Sequence, residues 1–211
     1  MRCACKSIRG KVSIIIPNLN RDLERLFASI EKSDYPYEDI EIIVINKGEE
    51  RSKQRNRGAR IATGDYFFFL DSDQTIHPEL ISKCVALCHY HDGIYIPEII
   101  VGHPIKTFFR QFYNGSRIDA VRFIRKGYWQ AFDENLTGVE DWDWDRRFTG
   151  SKGIVKCPLY HHTKSNLRRK LYYMKWLPQY IKKYPQALLF ELNPFYRLWL
   201  IIRGIWKKYL L

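Results

Sequence analysis

Three short apolar runs punctuate the chain: Val12–Pro17 (VSIIIP), Ile40–Asn46 (IEIIVIN) and Tyr66–Leu70 (YFFFL). They are rich in β-branched and aromatic residues and too short for helices, so they predict strands. Continuous apolar character, rather than alternation, predicts burial on both faces, as in a parallel sheet covered by helices. Helical spacing fills the gaps. Arg21–Lys32 places Leu23, Leu26, Phe27 and Ile30 on one face, and Ser33-Asp34-Tyr35-Pro36 ends it. A basic helix is predicted over roughly Ser52–Thr63, and His77-Pro78-Glu79 opens another that runs to about His89. Short strands are expected at 93–96 and 99–101. This β-α order predicts an α/β fold: a doubly wound, Rossmann-like, mostly parallel sheet with helices on both faces.

The second half is less regular. Phe108–Gly115 (FFRQFYNG) reads as a mobile aromatic segment. Phe132–Phe148 (FDENLTGVEDWDWDRRF) starts in a turn and ends in a helix opened by Glu140 and Asp141. Pro158–Thr163 (PLYHHT) places two histidines at the end of a possible strand. From Phe195 to Leu211, a 100° step collects Phe195, Leu198, Trp199, Ile202, Ile205, Trp206, Tyr209 and Leu210 on one arc. Arg197, Arg203, Lys207 and Lys208 fall on the other. That is the pattern of a helix lying in a membrane interface. Leu167–Tyr184 repeats it more loosely around Pro178. The plainer reading is that both helices cap the domain's own core.

Charge sharpens the division. Of the net charge of +12, residues 164–211 carry eleven basic residues against one acid, Glu191, leaving the body nearly neutral. The expected organisation is a domain over 1–163 and a basic amphipathic tail over 164–211, held to an anionic membrane surface. The N-terminus has no signal-peptide pattern, and no apolar stretch approaches the ~20 residues of a membrane span. Five scattered cysteines predict a reduced, cytoplasmic setting on the inner membrane face, with Cys84 and Cys88 in the core rather than holding metal with His89 and His91.

Candidate chemistry begins where the third strand ends. Asp71 and Asp73, in DSD, fall at the carboxyl end of a buried strand, where open α/β sheets bind ligands. Two carboxylates facing together favour a cation, and their hard oxygens suit Mg²⁺ or Mn²⁺ shared with phosphates. Against this stands a simple polar turn, with Asp71 capping the next helix. The acids from Glu140 to Asp145 exceed what a helix N-terminus needs. Beside Trp142 and Trp144 they resemble a site that takes up a proton next to a flat apolar surface. His161 or His162 could supply a further metal ligand. Neither GxGxxG nor GxxxxGK[ST] occurs, which leaves the common dinucleotide and P-loop sites unsupported.

Taken in order, VSIIIPNLNR, IEIIVIN, QRNRGARIATGDYFFFLDSD and FDENLTGVEDWDWDRRF resemble the family 2 glycosyltransferases of the GT-A fold, over roughly residues 11–163. The resemblance implies a nucleotide-diphospho-sugar donor, a divalent metal and inversion at the anomeric carbon. By position, Asp71, Ser72 and Asp73 would hold metal and diphosphate, with His161 or His162 as a late metal ligand. Pro17, Asn18, Asn46 and Arg55 would border the nucleotide, and Asn56 falls on the same helix. Asp141 would be the general base, with Glu140 beside it, and Trp142 and Trp144 would meet the acceptor. Two departures stand out: Asn46 replaces a common Asp, and Leu19 replaces an aromatic residue.

The expected acceptor is a saccharide, lipid-linked if the tail binds membrane. An alternative is transfer to a polyprenyl phosphate, which needs no strong base. A non-catalytic basic protein that binds nucleic acid or membrane leaves the acidic motifs unexplained, since carboxylates repel phosphates. Nucleic acid is therefore not an expected partner.

Overall fold

The computed structural model describes residues 9–47, 50–116, 119–136, 138–162, 174–190 and 192–209. Its centre is a six-stranded sheet in the order β2-β1-β3-β7-β5-β8. These strands are β1 (Val12–Pro17), β2 (Ile40–Ile45), β3 (Tyr66–Phe69), β5 (Gly93–Tyr95), β7 (Val121–Arg125) and β8 (Lys152–Ile154). β1 pairs in parallel with β2 and β3, and β5 with β8; β7 runs antiparallel between β3 and β5. A second sheet of β4 (Gln74–Ile76), β9 (Leu159–His161) and β6 (Glu98–Ile100) stands over its carboxyl edge.

The apolar runs are buried on both faces, as continuous hydrophobicity requires. Ile14, Ile16, Phe68 and Leu70 pack under α1 (Glu24–Glu31) and α3 (Leu80–Leu87). Ile15, Phe67 and Phe69 face α2 (Arg51–Ile61) and α5 (Glu140–Arg147). Gly58 allows α2 to lie directly on β1, because a Cβ there would collide with Ile15. Cys84 and Cys88 are buried in the first core, as free cysteines.

Three expectations change. Phe108–Gly115 is structured: α4 (Pro104–Arg110) runs into a 3₁₀ turn at Gln111–Tyr113. β4, β7 and β8 were not foreseen. β7 escapes a periodicity reading because Arg122 and Arg125 interrupt it, although Val121, Phe123 and Ile124 are buried. Finally, α6 (Leu177–Lys183) packs on the domain. Tyr180 is fully buried and joins Leu136, Val139, Ala187 and Trp142 in a third cluster. The loose amphipathic pattern at Leu167–Tyr184 is in this part a core-capping helix; residues 163–173 lie outside the described residues. α7 (Pro194–Tyr209) follows the expected tail helix closely.

Candidate active site

The carboxyl ends of β1, β2 and β3 lie level, since Pro17 pairs with Ile45 and Leu70 N donates to Ile15 O. Pro17, Asn18, Asn46 and the DSD turn therefore share one edge. Asn18 is buried and fixed there: its amide donates to Asn46 Oδ1 at 3.0 Å, and Gln54 donates to its carbonyl at 2.9 Å. Asp71 to Gln74 form a tight turn closed by Gln74 N to Asp71 O, with Asp71 N donating to Gln74 Oε1. Ser72 is half-exposed at its tip.

α2 is helical despite a polar sequence because its polar face is buried against specific partners. Asn56 clasps the Phe132 backbone twice, at 2.9 and 2.8 Å, and Ser52 donates to Leu136 O. These bonds tie α2 to the loop that leads into α5. Arg51 and Arg55, one turn apart, then point at both acidic motifs. Arg55 bonds Asp71 at 2.8 Å and Glu140 at 3.0 Å, while Arg51 lies 3.9 Å from Asp71 and 3.3 Å from Glu140.

The ion pairs continue away from the sheet edge. Arg122 of β7 lies 3.6 Å from Asp71 and 2.7 Å from Glu98, and Glu98 holds Arg110 of α4 at 3.2 Å. Burial opposes ionisation of Asp71, but Arg55, then Arg51 and Arg122, outweigh it and hold its carboxyl well below the usual range. Burial likewise opposes charge on Arg122, yet Glu98, Asp71 and Asp141 hold it charged and raise its pKa. Asp141 is thereby within electrostatic reach of the same guanidinium as Asp71.

Asp73 is placed differently. Its Oδ2 meets Arg21 at 2.6 Å and its Oδ1 lies 3.3 Å from His161 Nε2. Burial opposes ionisation here too, and His161, then Arg21, overcome it. His161 Nε2 is buried without a well-formed hydrogen bond. His162 turns away: its Nε2 meets Thr75 Oγ1 at 2.9 Å, while its N–H donates to Asp73 O. A cleft of about 500 Å³ opens beside Asp73, lined by Arg21, Arg25, Ser72, Thr75 and His162. A larger one of about 700 Å³, near Arg9, Asp65 and Arg125, lies at the opposite end of β1 and β3, away from these acids.

At this edge, two groups could be offered to a divalent ion. Asp73 Oδ1 and the orphaned His161 Nε2 converge there, an oxygen and a nitrogen that Mn²⁺ or Mg²⁺ can share with phosphate and water. Asp71 and His162 are engaged otherwise in this structure: guanidinium groups lie on the oxygens of Asp71, and Thr75 meets His162.

The acids of α5 also divide. Asp143 is held by Arg147, Lys183 and Tyr184, and Asp145 by Lys152 and Tyr95. Glu140 is inaccessible to solvent and receives Gly138 N–H as well as both arginines. Burial, then Asp141, push its carboxyl above the ordinary value despite those arginines. A carboxylate so enclosed has no face open to an acceptor; it is held on Arg55 and Arg51. Asp141 is partly exposed and makes no ion pair or hydrogen bond among the described residues. Trp142 is half-buried against Tyr180. Trp144 is core: only 1% exposed, it stacks between Phe132 and Phe148 and donates to Gln130 O, so its indole offers no face to an acceptor.

Sequence reading missed Arg51, Arg122 and Glu98. The four-residue spacing of Arg51 and Arg55 was an available signal; Arg122 reaches its partners only through strand pairing.

Residues 47–139 match the family model described as glycosyl transferase family 2. Among curated proteins no match was found. Solved structures share the fold. S. aureus TarS 1–349 in complex with UDP-GlcNAc aligns with a TM-score of 0.60 at 19% identity, covering 74% of this chain and 59% of that one. A mannosyltransferase from Pyrobaculum calidifontis, in complex with GDP-Man and Mn²⁺, aligns at 0.65 and 13% identity, covering 83% and 64%. A further S. aureus TarS structure aligns at 0.58 and 18%, covering 72% and 37%. This chain thus spans between 37% and 64% of the length of these neighbours.

Proposed function

We propose that this chain, whose residues 47–139 match the glycosyl transferase family 2 model, transfers a sugar from a nucleotide-diphospho-sugar to an acceptor hydroxyl with inversion at the anomeric carbon. The observation that carries this reading is the division of labour among the carboxylates. Asp71 and Glu140 are clamped on Arg55, Asp73 lies beside His161, and Asp141 alone of the α5 acids has no ion pair or hydrogen bond among the described residues and is partly exposed. The donor lies across the edge formed by Pro17, Asn18, Asn46 and Ser72. The acceptor oxygen bonds to the anomeric carbon as the carbon–phosphate oxygen bond breaks, and the nucleoside diphosphate leaves with that electron pair. Asp141 takes the acceptor proton from the opposite side, beside Trp142. Arg51 and Arg122 keep positive field under the leaving group. Asp73 and His161 would hold a divalent ion, which would supply charge neutralisation at the diphosphate.

Support for the donor class comes from the neighbours solved with UDP-GlcNAc and with GDP-Man and Mn²⁺. The acceptor in this reading is a saccharide, lipid-linked, met at the anionic cytoplasmic face of a membrane to which the basic tail is held. The test is a thermal-shift and turnover screen of UDP- and GDP-sugars with Mn²⁺. A donor-dependent shift that EDTA removes is expected. A shift for no nucleotide sugar, or binding and turnover indifferent to EDTA, defeats the donor or the metal assignment respectively.

A further inference from the structure

α7 is amphipathic in two directions, and this bears on what it touches. Tyr196, Leu200 and Gly204, four residues apart, face the domain: Leu200 is buried, and a Cβ at Gly204 would collide with Phe112. The helix is therefore docked. Yet Phe195, Leu198, Trp199, Ile202 and Ile205 remain exposed on its outer side, Phe195 by 77%. A helix that merely capped the core would put its widest apolar stripe inward.

α4 continues this surface. Ile105 is 73% exposed and Phe109 40%, and a shallow apolar groove of about 480 Å³, floored by Ile100, Ile105, Phe109, Tyr113 and Ile201, joins the two helices. Residues 99–118 and 192–211 contain no acid, while Lys106, Arg197 and Arg203 accompany the apolar residues. Arg203 also lies over the Trp199 ring at 5.2 Å. A broad apolar face in a basic setting fits anionic lipid. It suits a second copy of the chain poorly, since two such faces would bring like charges together.

We infer that α4 and α7 together form one platform that rests on an anionic membrane surface, with Ile105, Phe109, Leu198, Trp199 and Ile202 entering the headgroup–acyl boundary. This rests on the membrane reading above and deepens it, because α7 alone does not suffice. Through Arg110, Glu98 and Arg122 the platform is joined to Asp71 by consecutive ion pairs, which fixes the active site at a set height above the lipid.

The test uses the full chain and sedimentation with phosphatidylcholine vesicles, with and without phosphatidylglycerol. Wild type should bind only the anionic vesicles. I105S/F109S and L198S/I202S should each weaken binding about 10-fold, from the apolar area withdrawn. K106E should weaken it about 5-fold, because one cation no longer adjoins the anionic headgroups. Unchanged binding by I105S/F109S while L198S/I202S loses it would leave α7 as the sole anchor and overturn the platform. Wild type that ignores anionic vesicles overturns it too, as does a dimer in ultracentrifugation that these substitutions dissolve. Nucleotide binding, followed by thermal shift, should be unchanged in every variant. Its absence from wild type would count against the donor reading without touching the vesicle result.

Discussion

Asp71 and Asp73 sit in one turn, two residues apart, yet their surroundings have little in common. Asp71 is 9% exposed and faces three guanidinium groups; Asp73 meets, among the described residues, Arg21 and the imidazole of His161. The first is enclosed by arginines, and the second sets a carboxylate oxygen 3.3 Å from an imidazole nitrogen. The two carboxylates of the DxD pair are thus not equivalent in this structure: one is held by guanidinium groups and the other lies beside His161. The same contrast recurs on α5, where Glu140 is sealed and Asp141 is open.

The largest effect should come from breaking the closed half. Asp71→Ala removes the carboxylate shared by Arg51, Arg55 and Arg122, and breaking a buried ion pair costs about 3–5 kcal/mol. Activity and stability should fall together in turnover and urea-unfolding measurements. Asp73→Ala should abolish turnover while costing only about 1 kcal/mol, since its pair with Arg21 is partly exposed. Equal unfolding midpoints for the two variants would erase the distinction.

Next is the open acid of α5. Asp141→Asn preserves shape but cannot accept a proton, so turnover should drop by roughly 10²–10⁴-fold with donor affinity unchanged. Near-normal turnover would point to a phosphate acceptor, which needs no base.

His161→Ala should then weaken Mn²⁺ binding by at least the roughly 10-fold that even an outer partner of a metal ligand commands. His162→Ala should leave it close to wild type, because His162 is engaged by Thr75. Paramagnetic titration of Mn²⁺ distinguishes them, and the reverse order would exchange their roles.

These contrasts mark how far the sequence could be read. β1, β2 and β3 were legible because burial on both faces leaves a continuous apolar run. α2 was legible as a helix and its basic character was noted, but not that Arg55 neutralises Asp71. That pairing depends on tertiary distance, and a carboxylate beside guanidinium looks in sequence like a carboxylate beside metal. Arg122 was hidden for the same reason, in a strand whose register alone brings it to Asp71 and Glu98. Trp144 was misread because indoles beside acids suggest sugar, whereas its ring completes an aromatic stack with Phe132 and Phe148. On α7 the apolar arc was visible, but not the second stripe that docks the helix.

The smallest expected effect lies at the other end of the strands and serves as the control. Glu41 accepts from Ser13, Thr63 and Lys11 at the start of β1 and β2, remote from the catalytic edge. Burial opposes its ionisation, but the Ser13 and Thr63 bonds prevail and hold it at about 2. Its folded pKa is thus below the unfolded value of about 4.3, so its stabilisation is complete above that value and is lost as pH falls toward 2. Glu41→Gln should cost about 1 kcal/mol at neutral pH, the worth of hydrogen bonds to a charged acceptor less those an amide retains. Stability measured against pH should fall less steeply between about pH 5 and pH 2 in the variant than in wild type. Turnover per folded molecule should not change. A turnover loss comparable to Asp141→Asn would mean that the two ends of the sheet are coupled, and that the division between structural and reactive carboxylates does not hold.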